Sequence, residues 1–362
     1  MKPVRLGFIG AGWWATANHM PLLKARDDVE FVGVASLGAG QLRQVQDMFG
    51  FPFATEDYRE LLKQDLDAVV VTTPHHLHYE HALASVERGL HVMVEKPFTL
   101  RPDQAWRLVE AAKSRGVELL IPYGWHYRPY IQALKTALEG APLGELQFAV
   151  CTMASPTRGL FAGRADFSAF DWKPTLFEAD PRTWQTPEIG GGYAHGQITH
   201  SSALLFWLTG LRSARVSARL SRAGATVDLY GAAQVEFEGG VIGTVSGAAT
   251  LPDGDAYQID LRVFGSEGVL LLDVERERAE IRRHDGQHVH IPVTAGEGAY
   301  LCDVPPVRFI EVIRGRGRND SPGEVGARTA ELIEAMHRSS AQGGVPVEVY
   351  RPAPHAQPEE NA

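Results

Sequence analysis

The sequence predicts an α/β protein in two parts: a doubly wound parallel sheet over residues 1–122, then an α+β region with a large, mostly antiparallel open sheet over residues 123–350. A loose tail over residues 351–362 follows. Three observations carry this reading. Short β-branched runs, VRLGFI at 4–9, AVVVTT at 68–73 and LHVMVEKP at 90–97, alternate with helical patterns through the first third. Such alternation builds a parallel sheet, whose strands are covered on both faces and so read as continuous apolar runs. From residue 213 onward, ARVSARL, TVDLYGAAQVEFEGG, VIGTVSGAAT, YQIDLRVFG and GVLLLDV instead alternate at period two between glycine turns, the pattern of antiparallel strands with one covered face. Finally, 362 residues suffice for two cores.

Composition narrows the function classes. A net charge of -9, with no basic block, argues against a nucleic-acid partner, which needs clustered Lys and Arg to neutralise phosphates. The first residues are broken by Gly7, Gly10 and Gly12 and lead to no apolar span of membrane length. Neither a signal peptide nor a membrane partner is expected. Only two cysteines occur, Cys151 and Cys302, without metal-ligand spacing. The cytoplasm is the expected location.

In the first part, the strand at 4–9 runs into Gly10-Ala11-Gly12-Trp13-Trp14-Ala15 and a helical pattern to about Ala25. GxGxxA between a strand and a helix is a Rossmann fingerprint. The first glycine makes the tight turn, the second admits a pyrophosphate, and Trp13 and Trp14 follow at the cofactor. The second strand, 30–35, ends at Ser36, where NAD-binding chains usually carry an acid for the adenosine ribose. Its absence admits a 2'-phosphate, with Ser36 or Arg43 as contacts, so the cofactor is NAD or NADP. The strand at 68–73 ends at Thr73 and Pro74, ahead of His75, His76, His78 and His81. These histidines lack a tetrahedral or HExxH pattern, so they read as a cofactor loop and helix and no metal is expected. Gly89 caps that helix, and the next strand ends at Glu95, Lys96 and Pro97. In a parallel sheet those residues face the ligand crevice. A lysine there donates to a hydroxyl and loses its proton readily when water is excluded. Residues 102–115 read as a helix and 117–122 as another strand.

GFIGAGWWA followed by VVVTTPHHLHYEHALASVERGLHVMVEKP resembles the Gfo/Idh/MocA family of oxidoreductases. The resemblance implies that Lys96 is the catalytic or cofactor-contacting lysine, with Glu95 beside it. It also implies that Thr73, Pro74, His75 and His78 line the nicotinamide side.

The second part begins with YGWHYRP at 123–129, either a connector packing aromatics into an interface or, as the family resemblance implies, a segment crossing the cleft, with Arg128 as the family's arginine and a substrate ligand. Residues 155–189 form a long irregular stretch rich in Trp, Phe, Arg and Asp. Such stretches are usually functional. Trp172 and Trp184 are candidates to stack on a sugar face, with Arg158, Arg164, Asp171, Lys173, Asp180 and Arg182 for its hydroxyls; the alternative is packing against another subunit. Gly190-Gly191-Gly192 then opens a helix that presents Gly196, Gln197 and His200 on one face. In the family an aspartate stands four residues beyond the third glycine and a histidine four further on. Here His200 matches, and Gly196 takes the aspartate's place. His200 is the candidate general acid/base, because imidazole titrates near neutrality, and either Gln197, His195 or a water does what the aspartate does, or the chemistry has changed. Gln185 stands where relatives often have arginine. In the family the open sheet is often covered by another subunit, so a homodimer or homotetramer is expected.

The function expected is hydride transfer between a nicotinamide cofactor and a sugar, polyol or related cyclic alcohol. Two alternatives remain open: a glycoside-cleaving enzyme with transient redox, and a non-catalytic dinucleotide-binding sensor.

Overall fold

A computed structural model describes residues 2–163 and 176–352. Its first sheet comprises β1 (Val4–Ile9), β2 (Val29–Ala35), β3 (Phe53–Thr55), β4 (Ala68–Val71), β5 (His91–Val94) and β6 (Leu119–Leu120). All pairings are parallel, in the order β3-β2-β1-β4-β5-β6. Strand order therefore reverses between β1 and β4, which opens a crevice beyond their carboxyl ends. The helix Pro102–Arg115 has the predicted bounds, with proline in its first turn and Gly116 at its left-handed cap. β3 and the helix Tyr58–Leu61 go beyond the sequence reading; three half-buried residues give too short a run to signal a strand. Conversely, the strand expected over 117–122 shrinks to two residues. Pro122 has no N–H to give, and the N–H of Ile121 donates to Ser321 O at 3.0 Å instead of to a neighbouring strand.

The second sheet has nine strands: β7 (Leu146–Ala154), β8 (Ser213–Ser221), β9 (Tyr230–Phe237), β10 (Ile242–Ala248), β11 (Gln258–Gly265), β12 (Gly268–Asp273), β13 (Arg278–Arg283), β14 (Val289–Ile291) and β15 (Val347–Glu348). Only β7 and β10 pair in parallel. The period-two pattern does what it promises: in β10, Gly243, Val245 and Gly247 are buried while Ile242, Thr244 and Ser246 face outward. Helices Pro129–Gly140, Thr199–Thr209 and Gly323–Ala341 cover the inner face. Helix Thr199–Thr209 is buried over nearly its whole length, which fixes whatever it carries.

The chain's last helices return to the first sheet. Phe309 and Ile310 of helix Val304–Ile313 share a core with Phe8 and Leu120, and Gly323–Ala341 packs on Pro102–Arg115 as well as on β8. Between these bodies lies a buried charge. The Glu331 carboxylate, fully shielded, pairs with Arg212 at 2.5 Å and accepts from the Trp106 indole at 2.6 Å. Arg212 in turn stacks over the Trp106 ring. Removing one partner of such a group strands the other. Glu331→Ala is therefore expected to cost about 3 kcal/mol, read as a lowered urea midpoint, whereas an unchanged midpoint would mean that this contact does not join the two sheets.

Candidate active site

A cleft of about 1150 Å³ lies beyond the ends of β1, β2, β4 and β5 and is closed on its far side by the helix carrying His200. Its floor is the glycine loop. Gly10 has φ of +92°, and a Cβ there would come within 2.7 Å of the backbone at Thr72 and Thr73, so only glycine passes this close to β4. Around Gly12 nothing lies within 4 Å of an added Cβ. The loop is thus bare at the start of the helical stretch of residues 13–24, where a pyrophosphate fits against backbone N–H groups.

Glu95 ties this loop to the end of β5. Its Oε1 accepts from the Trp14 indole at 2.8 Å and lies 2.6 Å from His19 Nε2, and its Oε2 accepts from the backbone N–H of Lys96 at 3.0 Å. Burial alone would raise its pKa; the bond to His19, with the charges of His19 and Lys96, outweighs that and leaves it lowered. Lys96, whose bond to Pro97 is cis, carries its ammonium into the cleft. There Nζ donates to Gly196 O at 3.2 Å and sits 5.5 Å from the centre of the Trp184 ring. It has no ion-pair partner among the described residues. Burial lowers its pKa, partly offset by Glu95.

His200 stands one helical turn beyond Gly196, in the same cleft. Burial first, then the charge of Lys96 and the nearness of the His126 ring, hold its pKa well below the ordinary value, and Nδ1 is buried with no partner among the described residues. The imidazole is neutral at pH 7. This corrects the expectation that it titrates near neutrality.

The empty acidic position has a steric reason. A Cβ on Gly196 would meet the Phe161 ring at 2.6 Å, with Trp184 close behind. Phe161 and Trp184 occupy the space a longer side chain would need. His195 offers no substitute, being stacked on His337 outside the cleft. Behind it, buried Asp228 accepts from the backbone N–H of Ala194 at 2.8 Å and holds the helix start.

Gly10, Gly12, Trp13, Trp14, Ser36, Thr73, Pro74, His75, His78, Glu95, Lys96, Trp184, Gln197 and His200 all line this cleft. His75 Nδ1 meets Gly190 O, and the two nitrogens of His78 meet Pro97 O and Thr73 O. Asp180 and Arg182 reach the rim but pair with each other at 2.7 Å. Trp172 lies outside the described residues, as do Arg164, Asp171 and Lys173. Arg128 is not in the cleft; buried, it donates to the carbonyls of Glu297 and Gly296. With the Trp125 indole on Gly298 O it pins residues 296–298, the approach to Tyr300.

That approach builds a wall the sequence reading missed. Trp125, Tyr257 and Tyr300 line the cleft beside His200, with Trp125 and Tyr300 centred 5.4 and 5.3 Å from its ring. Trp125 lay in a stretch already marked by its aromatics. Tyr257 and Tyr300 come from ordinary loop ends, and no local pattern announces them.

Comparison with known proteins settles the lineage. Residues 4–123 match the family model described as oxidoreductase family, NAD-binding Rossmann fold, and residues 131–271 match the GFO/IDH/MocA C-terminal domain. The chain belongs to the Gfo/Idh/MocA family. Among its relatives in this family is a dTDP-3,4-didehydro-2,6-dideoxy-alpha-D-glucose 3-reductase of Streptomyces violaceoruber, 27% identical over 94% of this chain and 96% of that protein. Another is a D-xylose 1-dehydrogenase [NADP(+)] of Haloarcula marismortui, 26% identical over 80% of this chain and 79% of the relative. The fold matches levoglucosan dehydrogenase in complex with NADH and L-sorbose, with a TM-score of 0.74, 21% identity and coverage of 97% of this chain and 100% of that one. By that membership the chain is an oxidoreductase whose Rossmann domain takes a nicotinamide dinucleotide, NAD or NADP. Among the described residues no helix is long and apolar enough to cross a membrane.

The crowding at Gly196 is directly testable. Gly196→Asp is expected to lower stability by about 2 kcal/mol through overpacking against Phe161, and by much less when introduced into a Phe161→Ala background, whose own cavity cost is the reference. Thermal unfolding of both single variants and the double variant decides it; an equal loss from Gly196→Asp in the two backgrounds would remove Phe161 as the cause.

Proposed function

We propose that this protein is a dehydrogenase or reductase acting at a CH–OH or C=O carbon of a sugar, polyol or related cyclic alcohol, with Lys96 handling the hydroxyl proton and His200 orienting that oxygen. The observation that carries this is the placing of a desolvated amine and a neutral imidazole one helical turn apart, through the Lys96 bond to Gly196 O, in the cleft that begins at the glycine loop. When bound, the nicotinamide supplies the acceptor or donor of hydride. In the oxidative direction the Lys96 amine takes the hydroxyl proton; in the reductive direction its ammonium returns one. Its lowered pKa brings that exchange nearer to neutral pH. Neutral His200 keeps one ring N–H and one acceptor nitrogen, enough to hold a hydroxyl in either direction. Thr73, Pro74, His75 and His78 serve the nicotinamide side, and Trp184 and Gln197 the substrate.

Trp125, Tyr257, Tyr300 and Trp184 support the substrate class. Flat aromatic faces suit the C–H face of a sugar ring and keep water from the amine. The outward face of β10, where Ile242 is 55% exposed, supports a homodimer or homotetramer joined through the second sheet. Among the described residues neither Cys151 nor Cys302 forms a disulfide, which supports a cytoplasmic setting.

The test is a panel of pyranoses and cyclic polyols with either dinucleotide, followed at the reduced-nicotinamide absorbance. Turnover of one class of cyclic alcohol is expected, and silence across the whole panel would sink the reading. Lys96→Met should lower kcat by about 10²-fold or more while dinucleotide still binds. In the oxidative direction, the rate should rise with pH through one ionisation lying below the ordinary lysine value and then level off, because the free amine is the active form; the reductive rate should fall over the same range. A profile unchanged in Lys96→Met would place the proton transfer elsewhere.

A further inference from the structure

We propose that Glu56 makes this protein choose NAD over NADP. The inference rests on the dinucleotide reading of the cleft and goes beyond it, because neither Ser36 nor the family says which cofactor is taken. β2 and β3 run parallel, Gly33 to Ala35 beside Phe53 to Thr55, so the residues just past both strands meet at the same end of the cleft. There the Ser36 N–H donates to Thr55 O at 3.1 Å, and the Gly38 N–H donates to Glu56 Oε1 at 2.7 Å. Ser36, Leu37, Gln41, Glu56, Asp57, Tyr58 and Arg59 line that end.

A 2'-phosphate needs free N–H donors or an arginine at the loop after the second strand, whereas a ribose 2'-hydroxyl needs an acceptor. Glu56 supplies the acceptor from the neighbouring strand. Its carboxylate already uses the loop's Gly38 N–H, one of the amides a phosphate would want, and it brings a negative charge to the spot. The cations offer no compensation. Arg59 is engaged by Glu80 at 3.1 Å and Asp57 at 3.6 Å and lies over the Tyr58 ring. Arg43 is exposed on the helix Ala39–Phe49 and does not line the cleft. Leu37, 76% exposed, stands at the loop where a basic side chain would have to be. The acid missing from Ser36 is thus present in space, twenty residues later in the chain.

Calorimetric titration of the full-length protein with NAD+ and with NADP+, without substrate, tests this independently of turnover. The Kd for NADP+ should exceed that for NAD+ by about tenfold or more at low salt, with the ratio shrinking as salt screens the exposed carboxylate. Glu56→Gln, which keeps size and removes charge, should cut the ratio at least about threefold, and Glu56→Lys should cut it further. A wild-type ratio near one, or a ratio that neither variant moves, overturns the proposal. Failure of the wild type to bind either dinucleotide would instead bring down the cofactor reading of the cleft, and this inference with it.

Discussion

Glu95 is the group on which the cleft depends. One buried carboxylate receives the Trp14 indole, the His19 imidazole and the Lys96 backbone N–H. It joins the helix after the glycine loop to the end of β5. The loop must present bare amides and the strand end must present an amine, and a shift of either by an ångström would spoil a near-attack geometry. A carboxylate buried with so many donors stays ionised despite its burial. Lys96 therefore has a fixed negative neighbour while its own tip faces a carbonyl and an indole. The same acid that locks the backbone also moderates how far burial depresses the amine.

Around this clamp, the two sides of the cleft are built by opposite logic. On the cofactor side the chain is stripped down: Gly10 because nothing larger passes β4, and Gly12 because the space in front of it is left clear. The far side is filled in, with Trp125, Tyr257, Tyr300, Phe161 and Trp184 packed around His200 and Gly196. Desolvation follows from that filling and sets the protonation of both polar groups. His200 is neutral and Lys96 is easier to deprotonate, with no carboxylate supplied at Gly196.

Much of this was legible in the sequence where the signal is local. A glycine fingerprint, a β-branched run ending in Glu-Lys-Pro and a triple glycine before a helix each encode their own conformation, and the strands they belong to meet at one end of the sheet by the rules of parallel topology. What escaped is non-local. Tyr300 follows residues 296–298, which Arg128 and Trp125 hold by their carbonyls and Glu277 by two N–H groups, so Arg128 read as a ligand where the structure has it fastening that segment. His200 read as a group titrating near neutrality because its pKa is set by burial and by Lys96, a hundred residues away in the chain. Glu56 went unnoticed because the fingerprint looks for an acid along β2, whereas hydrogen bonding between strands brings one in sideways.

The return of the last helices to the first sheet carries a mechanical consequence. Phe309 and Ile310 are embedded with Phe8, and helix Gly323–Ala341 is braced against Pro102–Arg115 on one side and β8 on the other. A chain whose final third is stitched into its opening third has no single-strand hinge. Two bodies joined by one linker open like a book, whereas these are bound along the spine by a helix belonging to both. Swinging one sheet away from the other would have to pull Phe309 and Ile310 out of the first core and strip Gly323–Ala341 from one of its two supports.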